Sequence, residues 1–352
     1  MRQILALAAL AGLLTAGSPA LASAGRSFVS TGGSDANTSA NCAPTAPCRT
    51  FTAALSVTTS GGEVVVLDSG GYGPFTVTQS VIITAPDGVY AGISVASGSG
   101  VTVNGTGITV TLHGLTINGT GGTAGITFTA GLGLNVENTT IANFSASGSY
   151  GILATPAALV KVVDSIIRDC YTGIEVDNGP QLSVVDTRFL GTIEGGVRSM
   201  NTGVLLLEDA ATLVTVPSAT IVGCEANEGV ENAFVANAIQ GAVLTVDRSI
   251  MVGGGTGVSV NMLTGSGTLI ASISNSVFSK LGTGVVVTGG IPSVFMNHNT
   301  LTGNATGVHS TVTAQLVGLL YAAGLYSFGN NSFAGNGTDG SMAAAPSQNV
   351  LF

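Results

Sequence analysis

The sequence repeats one phrase along most of its length, and this repeat constrains the fold more than any other feature. The clearest copy spans residues 159–179, where two apolar runs flank a short polar step and a third apolar run follows a glycine. Later copies follow at intervals of 22–32 residues. A phrase that recurs at such intervals predicts a solenoid, in which each repeat buries its apolar side only by stacking on its neighbours.

The copies align on a large apolar residue that closes each polar step, and we place these anchor residues in one buried column. Three positions earlier, most copies have a small polar residue that suits the left-handed backbone of a tight bend. A glycine and an aliphatic residue follow most anchors by six to ten positions. The predicted anchors are Ile117, Ile141, Ile167, Phe189, Ile221, Ile250, Phe278, Leu301 and Phe333. The predicted bend residues are Gly114, Asn138, Asp164, Asp186, Ser218, Asp247, Asn275, His298 and Asn330.

The apolar runs are short, alternate with polar residues and are rich in Val, Ile and Thr, so they predict strands and not helices. A leucine-rich repeat would have a helical half, which is absent. The repeat therefore predicts an all-β fold, a single-stranded parallel β-helix of roughly eleven coils.

Composition supports an ordered β-solenoid and narrows the range of partners. The 352 residues include 52 Gly; 45% are hydrophobic and 8% are charged, so the chain is too apolar for disorder. Nine basic residues give a net charge of −9 without a basic cluster, which argues against nucleic-acid binding. The same charge would repel an acidic polysaccharide unless a local basic patch or a bound cation compensates.

The N-terminus has the pattern of a secretory signal peptide. Arg2 precedes an apolar run at 4–14, and small residues at 20–24 offer a cleavage site. Later apolar runs are broken by Gly, Asn and Thr, so we expect no membrane span. These features predict a secreted or periplasmic protein with a signal peptide at 1–24, a β-helix domain at 25–340 and a loose tail at 341–352.

Four cysteines allow two separate predictions. Cys42 and Cys48 are six residues apart in a polar segment, and after export we expect a local disulfide. Cys170 and Cys224 occupy the same predicted repeat position two coils apart, so ~9–10 Å would separate them, beyond the ~7 Å limit for a disulfide. We expect these two thiols to be free and buried. If residues 204–212 loop out, the two cysteines would instead lie on adjacent coils and could bond.

Residues 48–77 resemble the N-terminal cap and first coil of secreted bacterial right-handed β-helix proteins of the pectin-lyase-like class. The resemblance rests on CRTFTAAL at 48–55, on GGEVVVLDSGGYGPFTV at 61–77, and on FVSTGGSD at 28–35. It implies right-handed coils and a short helix that closes the solenoid. Phe51, Ala54 and Leu55 would share the helix face that covers the core. This fold hosts lyases, hydrolases, epimerases, adhesins and scaffolds, so the resemblance does not select one activity.

Charged residues concentrate in the segment 161–231, which holds 15 of the 27. In enzymes of the resembled class the cleft usually follows the sheet after the glycine, so we examine the outward column two residues after each glycine. There Glu175, Arg198 and Glu231 are predicted on successive coils, with the two carboxylates ~9–10 Å apart. That gap is near the upper end for inverting glycoside hydrolysis, which makes the three residues catalytic candidates. Alternating charges also form a stabilising ladder, and we favour this structural role.

Other polar residues on nearby coils are candidates for a sugar or calcium site. They are Asp177, Asp186, Arg188 and Glu194. No metal ligands are assigned, and calcium is the one cofactor that these acids suggest. The segment 204–212 is read as an insertion into a connecting loop, either a binding loop or a neutral one. Polygalacturonases of the class carry Asn-Thr-Asp, an adjacent Asp pair and Gly-His-Gly, and none of these motifs occurs here.

Two hypotheses follow, and the sequence leaves open whether the protein is an enzyme. The first is an exported, non-catalytic β-helix that binds a polysaccharide or cell-surface glycan, or serves as a structural solenoid. The second is a polysaccharide lyase or glycoside hydrolase with its site on the 161–231 face. The two differ in whether the candidate charges share one cleft.

Overall fold

The computed structural model describes residues 24–344, apart from 157, 178, 180, 192, 195–196, 199, 209–217, 240, 264–267, 291, 313–315, 318–319 and 322–323. The chain winds into a parallel β-solenoid. The all-β parallel β-helix predicted from the repeat is confirmed. Each full coil passes through three faces, which we name A, B and C in the order that the chain reaches them.

Face A is one parallel sheet that runs the length of the solenoid. Its strands alternate inward apolar and outward residues; in Leu159–Val163, for example, Val160 and Val162 are buried while Leu159 and Lys161 are exposed. In the described residues it contains 13 strands: Ala24–Val29, Thr58–Val66, Val81–Thr84, Thr109–His113, Gly133–Glu137, Leu159–Val163, Gln181–Val185, Ser218–Val222, Gly241–Asp247, Thr268–Ser274, Pro292–Asn297, Gly324–Ser327 and Ala343–Ala344.

Faces B and C belong to one 19-stranded sheet, because the 13-residue strands Ile250–Met262 and Val277–Gly289 run through both. Face B consists of Gly70–Gly71, Ala91–Val95, Leu115–Gly119, Thr140–Ala142, Ile166–Arg168, Arg188–Leu190, Glu225–Ala226, 250–252, 277–279, Thr300–Thr302 and Ser332–Ala334. Face C consists of Phe75–Val77, Ser99–Asn104, Ala124–Ala130, Tyr150–Ala154, Thr172–Asp177, Met200–Glu208, Val230–Ala238, 256–262, 283–289 and Thr306–Ser310.

Four elements lie outside the three faces. A 3-10 helix spans Asp35–Ala40 and an α-helix spans Phe51–Val57. Two short antiparallel hairpins complete the set, Ile193–Glu194 with Val197–Arg198 and Leu316–Val317 with Leu320–Tyr321.

The predicted helix closes the N-terminal end of the core. Its buried residues include Phe51, Ala54 and Leu55, which confirms the predicted face. The Phe51 ring packs 4.5 Å from the ring of Phe75 in the first coil. The helix begins after Thr50, whose side chain accepts a hydrogen bond from the backbone of the first turn. The end of the solenoid core is therefore covered by apolar side chains.

The buried anchor column exists on face B, but its register differs from the prediction in two coils. It runs through Ile93, Ile117, Ile141, Ile167, Phe189, Ala226, Met251, Phe278, Leu301 and Phe333. Ile221 is buried but belongs to face A, where it pairs with Val184. Ile250 points outward and is 42% exposed, since its neighbour Met251 takes the buried position. The predictions for Ile221 and Ile250 are therefore wrong.

The bends between faces A and B have positive φ, as the small polar residues predicted. The left-handed residues are Gly114, Asn138, Asp164, Asp186, Gly223, Arg248, Asn275, His298 and Gly329. Six predicted bend residues are confirmed, while Ser218, Asp247 and Asn330 are replaced by Gly223, Arg248 and Gly329.

A buried polar residue follows most of these bends and links one coil to the next. The Ser249 N–H donates to Ser276 Oγ (3.1 Å), the Ser276 N–H to Asn299 Oδ1 (3.0 Å), and the Asn299 N–H to Asn331 Oδ1 (2.9 Å). We call this row the bend ladder. The bend ladder provides acceptors for buried backbone N–H groups that are not hydrogen-bonded within the sheets.

Both cysteine predictions are confirmed, although the reasoning for the second pair is wrong. Cys42 and Cys48 form a disulfide with Cα atoms 4.9 Å apart. Cys170 and Cys224 are free and fully buried. They do not share a repeat position, because Cys170 lies at a corner between faces B and C and Cys224 at a corner between faces A and B. Burial raises the pKa of each thiol to about 12.

The structure describes the C-terminal end of the predicted β-helix domain, but only the last residue of the predicted signal peptide. The predicted signal peptide falls, except for its last residue, outside the described residues. At the other end, Ala343–Ala344 pairs with Tyr326 and Ser327 as a further strand of face A, so the β-helix extends beyond the predicted limit at 340. Among the described residues no helix is long and apolar enough to cross a membrane.

Candidate functional site

The outward column of face C differs from the predicted one at two positions. Strand pairing places Leu153, Glu175, Leu205, Val235, Ser259, Val286 and His309 on successive coils. Leu205 and Val235 stand where Arg198 and Glu231 were expected. Arg198 and Glu231 therefore lie outside the outward column that contains Glu175.

Arg198 lies on the hairpin Ile193–Glu194/Val197–Arg198, which leaves the coil between faces B and C. This coil contains four glycines in its sequence, and the prediction counted from Gly196. The structure uses Gly203, which stacks on Gly173 so closely that a Cβ on Gly173 would meet the Gly203 carbonyl oxygen at 2.4 Å. Consequently residues 204–208 form part of the face C strand Met200–Glu208, and the prediction that 204–212 forms a loop insertion is wrong for these five residues.

Glu231 lies at the start of its strand, before the outward column. Its neighbours Val230 and Asn232 pair with Met200 and Thr202, and its carboxylate lies over Gly255 of the next coil. Two coil spacings alone put about 10 Å between it and Glu175, and an offset of four residues along the strand adds to this distance. The pair therefore exceeds the separation of the two carboxylates in glycosidases, ~5–9.5 Å.

Glu175 belongs instead to a cluster with two tyrosines. Burial raises the pKa of Tyr150, and Glu175 raises it further by its negative charge and a hydrogen bond to the phenol. Asp177 and Tyr171 also raise this pKa through their charges, so both lie near the Tyr150 phenol. We call Tyr150, Tyr171, Glu175 and Asp177 the tyrosine–acid cluster.

The sequence interpretation missed both tyrosines of the cluster. Tyr150 directly precedes Gly151, and Tyr171 stands two residues before Gly173. The glycines that define the repeat therefore also indicate the positions of these two rings. The prediction of the site was restricted to the column two residues after each glycine, which does not include them.

The other predicted binding residues lie elsewhere. Asp186 occupies a bend between faces A and B with φ 49°, and the exposed Arg188 begins a face B strand. Both are thus separated from the tyrosine–acid cluster by a corner of the solenoid. The backbone of Glu194 lies on the hairpin that carries Arg198. Among the predicted site residues whose side chains the structure describes, Glu175 and Asp177 belong to the tyrosine–acid cluster.

Neutral polar side chains extend face C towards its C-terminal end. Asn261 Nδ2 donates to Asn237 Oδ1 (2.8 Å), and Asn261 Oδ1 is hydrogen-bonded to the Thr288 hydroxyl on the following coil. In the face C strands whose side chains the structure describes, the charged residues are Glu175, Asp177 and Glu231, all of them acidic. This face therefore carries negative charge near its middle and uncharged amides beyond it.

The described residues include no group of three or more His, Cys, Asp or Glu side chains arranged to hold a metal ion. Glu175 and Asp177 provide two carboxylates, fewer oxygen ligands than the 6–8 that calcium usually takes. A calcium ion here would need ligands from water or from a bound glycan.

Comparison with known proteins agrees with this architecture. The family model described as right handed beta helix region matches residues 99–271. The crystal structure of pectate lyase Pel9A superimposes with a TM-score of 0.54 at 16% identity, covering 91% of this chain and 78% of that one. The protein has the right-handed parallel β-helix fold, which it shares with this pectate lyase.

Two further comparisons add no argument about activity. A rhamnogalacturonan lyase aligns with a TM-score of 0.44 at 14% identity, covering 79% of this β-helix chain and 74% of the lyase. No curated protein matches the sequence. At these identities the likeness to both lyases concerns the fold alone.

Proposed function

We propose that this protein is an exported, non-catalytic β-helix that binds a polysaccharide or cell-surface glycan on face C. The observation that carries the proposal is the tyrosine–acid cluster on the same face as the amide row. Tyrosine rings pack against the C–H faces of sugars, while carboxylates and amides bind sugar hydroxyls. Parallel coils repeat these groups every ~4.8 Å, so one extended chain can contact several coils at once.

The separation of the predicted charges supports binding over catalysis. A lyase or hydrolase on this face would need a base or an acid pair that faces one substrate bond. Glu175 and Glu231 are too far apart for the hydrolase geometry, and the backbone of Arg198 lies on the separate hairpin. Glu175 is instead hydrogen-bonded to Tyr150, in an arrangement suited to orienting a ring.

The charge of face C bears on the ligand. Its acidic middle would repel uronic acid chains, so we expect neutral glycans to bind more tightly than acidic ones. The Cys42–Cys48 disulfide supports export, because such bonds form and persist in oxidising compartments.

The test is a binding and turnover screen of the purified protein against neutral and acidic polysaccharides, with calcium or with a chelator. Affinity electrophoresis measures retention, ultraviolet absorbance detects the unsaturated products of a lyase, and a reducing-end assay detects hydrolysis. We expect retention by at least one neutral glycan without product. Product formation that Glu175→Gln abolishes would establish the enzyme hypothesis instead.

Two tyrosine variants locate the binding surface. Tyr150→Ala should weaken retention roughly ten-fold, about 1.4 kcal/mol. Tyr90→Ala is the matched control, because Tyr90 is 52% exposed and lies in the connection before face B, away from the cluster. Equal effects of the two substitutions would contradict a site on face C.

A further inference from the structure

The first strand of face A, Ala24–Val29, is an edge strand. One side pairs in parallel with Thr58–Val66, through partners such as Phe28 with Val65. The outer side of such a strand presents N–H and C=O groups that accept a strand from another molecule unless something covers them.

The disulfide loop covers this edge through the backbones of both its cysteines. The Phe28 N–H donates to the Cys42 carbonyl (2.8 Å), and the Cys48 N–H donates to the Phe28 carbonyl (2.9 Å). The Ser30 N–H also donates to the Cys48 carbonyl (2.9 Å). The loop thus takes the place that a further strand would occupy, and the disulfide joins its two points of attachment.

The two attachments are held with unequal strength. Cys48 is followed by Arg49 and Thr50, whose N–H groups both donate to the Asp35 carboxylate at 2.9 Å. Cys42 instead has φ 48° and follows Asn41 at φ 55°, a left-handed pair that non-glycine residues seldom adopt. Without the disulfide, we expect the Cys42 attachment to open first.

We propose that the Cys42–Cys48 loop is a redox-dependent cap that, once reduced, uncovers the Phe28 edge for pairing with a second copy of this chain. A dithiol reductant supplies two electrons and two protons, so the S–S bond becomes two thiols and the dithiol becomes a disulfide. This inference does not depend on the proposed glycan binding.

A second copy of this chain fits as the partner because the parallel strands of face A repeat at a constant spacing along the solenoid. Its strands are all parallel, and the strand Ala343–Ala344 belongs to the same sheet at the other end. A second molecule placed end to end would offer a strand with the required direction and spacing. Such head-to-tail contacts do not close on themselves, so they produce open assemblies.

Residue-resolved hydrogen exchange tests the cap directly. The protein is treated with a dithiol, and thiol labelling verifies that Cys42 and Cys48 are reduced. The Phe28 amide should lose at least ten-fold protection, while the Val29 amide, which faces the inner strand, keeps its protection. Unchanged protection at Phe28 refutes the cap, and equal loss throughout the first coils shows that the disulfide only supports the fold.

Light scattering after size exclusion tests the partner. The Cys42→Ser, Cys48→Ser double variant should form species larger than the monomer as concentration rises, whereas the oxidised wild type stays monomeric. Adding Arg26→Pro should restore the monomer, because it removes an outward N–H from the same edge without touching the loop bonds. A double variant with an exposed Phe28 amide that remains monomeric overturns the pairing step.

Discussion

Asn299 provides the most demanding test of the bend ladder. The side chain is 1% exposed; its carbonyl accepts from the Ser276 N–H at 3.0 Å, and its amide donates to the Ile273 carbonyl at 2.8 Å. Asn299→Leu keeps a similar volume but removes both bonds, together with the bond from the Asn299 side-chain amide to Asn331 Oδ1 at 2.9 Å. The Ser276 N–H and the Ile273 C=O are then buried without these partners.

Each buried group left unsatisfied costs about 1–3 kcal/mol, and the added leucine returns about 1–2 kcal/mol through its apolar surface. Two such groups together cost about 2–6 kcal/mol, so the expected loss in the free energy of unfolding is about 1–4 kcal/mol. Urea titration followed by circular dichroism measures the loss, and hydrogen exchange at Ser276 shows whether it begins at this bend.

Asn135→Leu is the matched control. Asn135 lies on the outer surface of face A and donates one hydrogen bond to Thr111 Oγ1 at 3.2 Å. Because water can replace that bond, we expect less than about 1 kcal/mol. Equal losses in the two variants, or a neutral Asn299→Leu, would refute the view that the ladder satisfies otherwise orphaned backbone groups.

Three further outcomes follow from the structure. Burial raises the pKa of Asp68, but hydrogen bonds from Tyr72, Thr31 and Ser30 outweigh it and lower the pKa to about 2, below the ordinary 3.8. The folded-state pKa is depressed, so this stabilisation should be present above about pH 4 and lost as the pH falls towards 2, and Asp68→Asn should flatten the urea midpoint over that window. Gly203→Ala places a Cβ 2.6 Å from a carbonyl oxygen of the next coil and should cost about 1–3 kcal/mol in the same titration, whereas Gly25→Ala has open space and should be neutral. The thiols of Cys170 and Cys224 should resist labelling in the folded protein and count as two after denaturation without reductant.

The sequence predicted the structure correctly in those coils where the repeat can be aligned in only one way. The bends at Asn138, Asp164 and Asn275 were predicted correctly because a polar residue and an apolar anchor stand at a fixed distance. The register failed at Ile221 because the true anchor of that coil is the small residue Ala226. The Phe234 ring packs edge-on against Phe189 at 6.1 Å, so aromatic volume from face C fills space in a coil whose anchor is small.

The candidate site was less predictable for a related reason. The hairpin Ile193–Glu194/Val197–Arg198 adds residues to one coil and places Arg198 outside the predicted column. Glu231 was assigned to the column by counting from Gly229, whereas Ala233 occupies the position of the repeat glycine in that coil. Tyr150 contacts Glu175 of the adjacent coil diagonally, since the residue directly opposite Glu175 is Leu153. A contact of this kind depends on side-chain direction, which spacing alone does not give.

The bend ladder gives the solenoid a direction. In its backbone N–H bonds the donor lies on the earlier coil and the acceptor on the later one, as in Ser276 to Asn299 and Asn299 to Asn331. Each of these backbone donors is therefore bonded only when the following coil is present. Shortening the protein from the C-terminus to a coil that carries Ser276 or Asn299 leaves its backbone N–H without the side-chain acceptor, whereas removing coils from the N-terminus keeps the backbone N–H bonds of the ladder in the remaining coils. Removal of the C-terminal coils should therefore destabilise the core of the coils that remain.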